Sequence, residues 1–256
     1  MQGKTVFITG GSSWYWPCMA QAFAEQGGAN VVITDKNEQL LEEAVSQNPP
    51  SLTSFICDVT EEQAIREAID FTINKFSTLD ILINNAGFQH VSHIEDFKTE
   101  IFEAMQKVMV VAPFVAMKYA LPYMKKNQFG RIINMASING VIGFAGKAGY
   151  NAAKHGVIGL TKVTALEVAT DGITVNAICP GYVDTELVRN QFMDLAKTRG
   201  GIQVEEVIEQ VLYPLVPQKR LLDVSEITGL ALYLASDVAK GLTGQAILLD
   251  GGYTAQ

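Results

Sequence analysis

The chain has 256 residues, of which 48% are hydrophobic and 18% charged, and its formal net charge is −8 at pH 7. That length and balance suit one large α/β domain with a buried core and exclude a disordered chain. The negative balance, without any Lys/Arg run, argues against a nucleic-acid or anionic-membrane surface. No apolar stretch is expected to reach the roughly 20 residues of a membrane span, and the chain enters a strand at once, with no charged-then-apolar leader. Cys18, Cys57 and Cys179 are far apart and odd in number, which suits a reducing cytoplasm. Neither they nor His90, His93 and His155 have metal-ligand spacing, so no metal is expected.

Taken in order, a short apolar strand over Thr5 to Thr9 ends in Gly10-Gly11. Ala20 to Gln26 is predicted helical and stopped by Gly27-Gly28. A second strand, Val31 to Thr34, closes on Asp35; a helix over Gln39 to Ser46 is broken by Asn48-Pro49-Pro50. Ser54 to Cys57 is a third strand ending at Asp58. An amphipathic helix over Glu61 to Phe76 leads to a fourth strand, Leu79 to Ile83, and then Asn84-Asn85-Ala86-Gly87. A long helix is predicted over Phe102 to Lys126, a buried strand over Arg131 to Ala136, a helix over Ala152 to Leu160 and a strand over Ile173 to Ile178, stopped by Pro180-Gly181. Residues 186–222, with Pro214 and Pro217, are less regular and are expected to form a mobile cover over the site. Ala246 to Leu249 is the last strand. Strand alternates with helix throughout, which means a parallel sheet covered on both faces, and nothing marks a linker, so residues 1–256 are expected to form one domain.

The stretch from Ser137 to Lys154 carries the chemistry. Tyr150 and Lys154 are four apart, so on a helix they share a face, and an ammonium there is expected to lower the phenol's pKa. Such pairs are common on helix surfaces and mean little alone. Ser137, leaving a buried strand just upstream, supplies a hydroxyl to hold a carbonyl oxygen beside the phenol. Together these make a proton-transfer site for carbonyl and alcohol chemistry.

The Ser…Tyr-x-x-x-Lys pattern of Ser137, Tyr150 and Lys154 resembles that of the short-chain dehydrogenase/reductase family, and the resemblance runs along nearly the whole chain. It implies a doubly wound, Rossmann-like parallel sheet that binds a nicotinamide dinucleotide. Asp35, 25 residues past Gly10, matches the acid that bonds the adenosine ribose hydroxyls and repels a 2′-phosphate, favouring NAD over NADP; Lys36 beside it softens that inference. Asp58 and Val59 match the adenine-contacting segment, and Asn85, Ala86 and Gly87 the element bordering the cofactor. Pro180, Gly181, Val183 and Thr185 match the segment near the nicotinamide, while Thr9, Gly10 and Ser12 match the phosphate turn. Tyr150 and Lys154 also face the cofactor in this reading.

Within the family, Phe88-Gln89-His90, Phe129 to Asn134 and Asp250 to Ala255 are most similar to the bacterial D-3-hydroxybutyrate dehydrogenase branch. That similarity implies interconversion of (R)-3-hydroxybutyrate and acetoacetate in a homotetramer, with the long helices from 102 and 152 as contact faces. Gln89, Lys147 and Gln191 match the residues that hold the substrate carboxylate, a task for one cation and a few amide donors. Ser137, Asn139, Tyr150 and Tyr182 complete the implied substrate pocket. Asn139 stands where a His is usual and Tyr182 where a Trp is. Met109 stands where a helix Asn often helps relay protons, and core packing is its expected role.

The phosphate turn breaks the pattern. The family has Thr-Gly-x-x-x-Gly-x-Gly, whereas this chain has Trp14 and Trp16 at the last two glycine positions. Those glycines let backbone N–H groups approach the pyrophosphate. Trp-Tyr-Trp-Pro-Cys is encoded TGG TAY TGG CCN TGY; read one base later it contains Gly-(Ile/Thr)-Gly, which restores both glycines in place. A short frameshift over Trp14 to Cys18 accounts for this, whereas drift or redesign would leave clean in-frame Trp codons. Two further readings stay open: a dehydrogenase of another 3-oxoacyl thioester or alcohol, and a dehydrogenase-shaped protein that no longer binds nucleotide and acts as a binding partner.

Overall fold

The structure is a computed structural model that describes residues 1–10, 16–46, 52–185, 188–190, 192–193, 196 and 203–255, with the backbone alone at 16 and 17. Among the described residues seven strands form one sheet: β1 (Thr5–Thr9), β2 (Asn30–Asp35), β3 (Leu52–Ile56), β4 (Ile81–Asn84), β5 (Gly130–Met135), β6 (Ile173–Pro180) and β7 (Ala246–Leu249). Their order is β3-β2-β1-β4-β5-β6-β7 and every pairing is parallel. The direction of winding reverses between β1 and β4. The strand ends there open a crevice, the place where doubly wound sheets bind ligands.

The helices are α1 (Trp16–Glu25), α2 (Glu38–Ser46), α3 (Glu62–Phe76), α4 (Thr99–Gln106), α5 (Ala112–Asn127), α6 (Ala148–Glu167), α7 (Val204–Val207) and α8 (Val224–Ala235). The period of two along each strand sorts the core into two layers. Val6, Ile8, Val31, Ile33 and Ile83 point to one side, against Phe23 of α1 and Ile227 and Leu234 of α8. Phe7, Val32, Leu82, Ile132 and Val175 point to the other, against Ile69 of α3 and Met117 and Ala120 of α5. Both faces are therefore covered, as near-continuous apolar strands require.

Several boundaries differ from expectation. The helix predicted from Phe102 begins at Thr99 and carries a π turn at Lys107–Val111 between α4 and α5. The whole run 99–127 is long and apolar enough, by length and composition, to cross a membrane, contrary to the sequence reading. Here it packs on α3 and α6, burying Val115, Ala116 and Ala120. The helix expected over Ala152 to Leu160 runs from Ala148 to Glu167, so Tyr150 lies in its first turn. α1 begins at Trp16 rather than Ala20. β4 starts two residues later than expected, at Ile81, and just before it the Asp80 carboxylate accepts the Thr5 N–H at 2.9 Å. α8 was not predicted, although Asp223 and Glu226 form a capping box at its start. The Asn48-Pro49-Pro50 break lies outside the described residues. In the described part of the 186–222 segment, Phe192, Val207, Ile208, Leu212 and Val216 bury one another as a separate small core.

Candidate active site

β5 runs out at Met135 and the chain turns at once. Ser137 caps a short 3-10 turn, Ile138–Gly140, and its Oγ accepts the Asn139 N–H at 3.1 Å. α6 then returns across the strand ends. Its buried stripe, Tyr150, Lys154, Val157, Ile158 and Thr161, follows helical spacing and faces the sheet. Asn151 Nδ2 donates to the Ile142 carbonyl at 2.7 Å, and Gln106 Nε2 donates to the Gly149 carbonyl at 2.9 Å, so the first turn of α6 is held from two sides.

One cavity gathers most of the residues expected from sequence. Ser137, Tyr150 and Lys154 line it, with Gln89, Asn139 and Lys147. Asn85, Gly87, Pro180, Gly181, Tyr182 and Thr185 also belong to its described wall. Its described lining contains two ammonium groups and no carboxylate. The Ser137 side chain acts to lower the Tyr150 phenol, yet burial holds that phenol well above the ordinary value. Lys154 does not lower it as expected. Its Nζ donates to the Met135 carbonyl at 2.5 Å and stands 5.4 Å from the centre of the Tyr150 ring. Burial pushes Lys154 itself down to about 8. Burial thus opposes the charged form of both groups, most strongly that of the phenol.

Lys147 lies just before α6, where the Lys147 segment bridges to Ser92 and the Ser92 N–H donates to the Gly146 carbonyl. Its ammonium stands 4.4 Å over the Phe144 ring, and burial alone pushes its pKa down to about 8. Tyr182 is flanked by Phe192 and Tyr253, with ring centres 6.4 and 6.1 Å away, and burial pushes its phenol up to about 12. Met109 is buried beside Met105, Tyr150 and Ala153, the packing role expected of it.

A second cavity opens at the switch point, sharing Gly87 with the first. Asp35, Asp58 and Val59 line it from the ends of β2 and β3, with Gly10 and Ala86 between. Gly10 has φ +71° and a side chain there would strike Ala86, so only glycine lets these turns meet. Asn85 Nδ2 ties the same turns by donating to the Gly10 carbonyl at 2.9 Å. Asp58 accepts the Thr60 N–H at 2.9 Å, which holds its carboxyl below the usual range. Asp35 accepts the Asn37 N–H at 3.0 Å. Two acids at adjacent strand ends, facing a backbone that approaches closely, fit the hydroxyl-bearing half of a dinucleotide.

Two of the expected residues, Thr9 and Val183, are absent from the described lining of both cavities. Thr9 lines neither cavity; its Oγ instead accepts the Asn85 and Ala86 N–H groups and braces their turn. Val183 points into the core, fully buried, because its backbone pairs with Leu222. Ser12, Trp14 and Gln191 lie outside the described residues. Sequence reasoning missed Cys57, Thr60 and Phe88 at the second cavity, each adjacent to a predicted residue, and Ala104 and Val108. The last two are four apart on one helical face, a pattern visible in the sequence.

A family model described as enoyl-(acyl carrier protein) reductase matches residues 17–254. The chain is 53% identical to an uncharacterised oxidoreductase, YxjF, of Bacillus subtilis (strain 168), over all of both chains. It is 41% identical to a D-beta-hydroxybutyrate dehydrogenase of Rhizobium meliloti (strain 1021), over 99% of each. Among solved structures it is similar to a variant actinorhodin polyketide ketoreductase with NADPH, at 27% identity and a TM-score of 0.91 over 99% of this chain and 98% of that one. With the Ser137–Tyr150–Lys154 cavity set beside a second crevice on one doubly wound sheet, these likenesses place the chain in the short-chain dehydrogenase/reductase family, as an oxidoreductase.

Proposed function

We propose that the protein is an NAD-dependent dehydrogenase that interconverts (R)-3-hydroxybutyrate and acetoacetate. The observation that carries this reading is the single cavity holding Ser137, Tyr150 and Lys154 together with Lys147 and Gln89, without a carboxylate in its described lining. A small carboxylate in such a cavity gains a charge-assisted hydrogen bond from Lys147 and an amide donor from Gln89. The bound cofactor supplies or accepts the hydride. In reduction Tyr150 donates its hydroxyl proton to the carbonyl oxygen while Ser137 donates a hydrogen bond to the same atom; in oxidation the proton returns to the phenolate. The protonated phenol of the cofactor-free chain suits the acid role. Asp35 would bond the ribose hydroxyls and oppose a 2′-phosphate, with Asp58 and Val59 against the adenine and Gly10, Ala86 and Gly87 along the chain between them. Gln191 is assigned to the substrate carboxylate and residues 186–222 to a cover over the site. Initial rates of acetoacetate reduction with NADH and with NADPH test the reading. Turnover that favours NADH and is saturated by free acid supports it, and preference for an acyl thioester over the free acid overturns it.

Trp14 and Trp16 favour a second reading, in which the chain as written binds nucleotide poorly or not at all. The match to the family model begins at residue 17, directly after them. Titration with NADH, followed by its fluorescence, separates the two. Repeated sequencing of the gene tests the frameshift, which clean in-frame Trp codons would exclude.

The remaining proposals concern setting. A homotetramer in the cytoplasm fits the outer faces of α5 and α6, where Phe114 is 50% exposed, Val163 54% and Leu166 81%. Leu166→Glu should lower the mass measured by light scattering; an unchanged mass removes this face from the assembly.

A further inference from the structure

The mechanism uses the first two turns of α6 but leaves three buried polar side chains behind them unexplained. Asn84 ends β4, Asn134 lies in β5 and Thr161 lies in α6; they are 4%, 0% and 0% exposed. Asn84 Nδ2 donates to Asn134 Oδ1 at 2.8 Å, Asn134 Nδ2 donates to Thr161 Oγ1 at 2.8 Å, and that hydroxyl donates to the Val157 carbonyl at 2.8 Å. An apolar trio at these positions would pack without a desolvation penalty, so a bonded polar row inside a core specifies a unique arrangement rather than mere cohesion. The row joins two central strands to the helix that carries Tyr150 and Lys154.

Its placement along α6 is specific. Thr161 lies 7 residues after Lys154 and 11 after Tyr150, two and three turns along the same buried stripe. The sheet therefore grips this helix through β5 at two polar points, Lys154 to the Met135 carbonyl and Thr161 to Asn134. Two such points constrain both rotation about the helix axis and sliding along it, in addition to the packing of Val157 and Ile158 against β6. Ser137 stands two residues past the end of β5, so the same strand sets the partner of the Tyr150 hydroxyl.

We propose that Thr161, held by Asn134 and Asn84, is a positioning residue: the buried row sets the register of α6 against β5 and thereby the meeting of the Tyr150 hydroxyl with Ser137. This rests on the reading of Tyr150 and Ser137 as the proton-transfer pair. Misplacement of a reacting group by about 1 Å is enough to slow a reaction 10²-fold, so a loosened register shows in kcat before it shows in substrate binding.

The test compares Thr161→Val, which keeps the shape and removes the hydroxyl, with Thr161→Ser, which keeps the hydroxyl. Thr161→Val should lower kcat for acetoacetate reduction by about ten-fold, with a smaller change in KM, and Thr161→Ser should recover most of it. Val175→Ala, a core change on the same face with no polar partner, serves as a stability control: at matched loss of melting temperature it should leave kcat within about two-fold. Equal kcat losses in Thr161→Val and the control reduce the row to a structural role and overturn the proposal. A parent chain that neither binds NADH nor turns over fails the proposed function instead. For that case the resonance of Tyr150 in the cofactor-free chain, with isotope-labelled tyrosine and assigned by its loss in Tyr150→Phe, reads the same register. It should move in Thr161→Val and return in Thr161→Ser. Should Thr161→Val not fold, Asn84→Ser releases the row from the strand side; an unmoved Tyr150 resonance in whichever variant folds overturns the proposal.

Discussion

Two corners of the same sheet edge contrast sharply. At the proton-transfer corner, β5 and α6 bring Ser137, Tyr150 and Lys154 to one cavity, and these three keep the family pattern, although Asn139, Tyr182 and Met109 around them depart from it. At the nucleotide corner, β1, β2 and β3 bring Gly10, Asp35 and Asp58 together, yet Trp14 and Trp16 occupy glycine positions in the turn that should receive phosphate. The corners are built from different strands and share only the segment around Gly87. The two corners can therefore be tested separately. Ancestry and present activity are separate questions for this chain, and each corner answers one of them.

The largest effect should come from the intact corner. Tyr150→Phe removes the group that moves the proton and should lower turnover by about 10²–10⁴-fold while NADH binding and melting temperature hold; steady-state rates beside a binding titration check this, and substantial residual turnover breaks the assignment. Lys147→Ala comes next. Loss of a charged hydrogen bond should raise KM for acetoacetate by about ten- to a hundred-fold, with kcat less affected; an unchanged KM removes the carboxylate site. The broken corner is tested by Trp14→Gly/Trp16→Gly. If only this turn is damaged, NADH should bind at least about ten-fold tighter, roughly 1.4 kcal/mol, by fluorescence titration.

Smaller effects sharpen the contrast. Burial pushes Lys147 down to about 8, so its ammonium is present below that pH and lost as pH rises through it. Affinity for a free acid should fall above about pH 8, by up to about ten-fold per unit, whereas an uncharged ketone should show no such limb. KM measured across pH for both substrates checks this. At the nucleotide corner Asp35→Ala removes the charge that opposes a 2′-phosphate, and the NADPH-to-NADH ratio of kcat/KM should rise by about ten-fold or less.

Much of the site was legible because it is written in local spacing. Tyr150 and Lys154 share a helical face by arithmetic and Ser137 leaves a buried strand just upstream, whereas Gln89 and Lys147 were legible only through the family resemblance. What escaped notice depended on long-range packing. Val183 belongs to a segment that resembles a cofactor contact, but pairing with Leu222, 39 residues on, turns it into the core. Thr9 braces the Asn85–Ala86 turn, a contact invisible without the close approach of β1 and β4. The helix expected unbroken over Phe102 to Lys126 carries a π turn at Lys107–Val111, with Pro113, which has no N–H to donate back into that turn, two residues beyond it.

By itself the sequence determined the alternation of strand and helix, the two-sided covering of the sheet, the order of the motifs and the phosphate-turn anomaly. These depend on residue type and short spacing, which the chain carries wherever it lies. Only the tertiary structure decided the ionisation of the site. Tyr150 and Lys154 are buried together, and the ammonium turns to the Met135 carbonyl, so the phenol rises instead of falling. The reason is that a pKa is set by everything that surrounds a group and by how little water reaches it, and neither is a property of the neighbours along the chain.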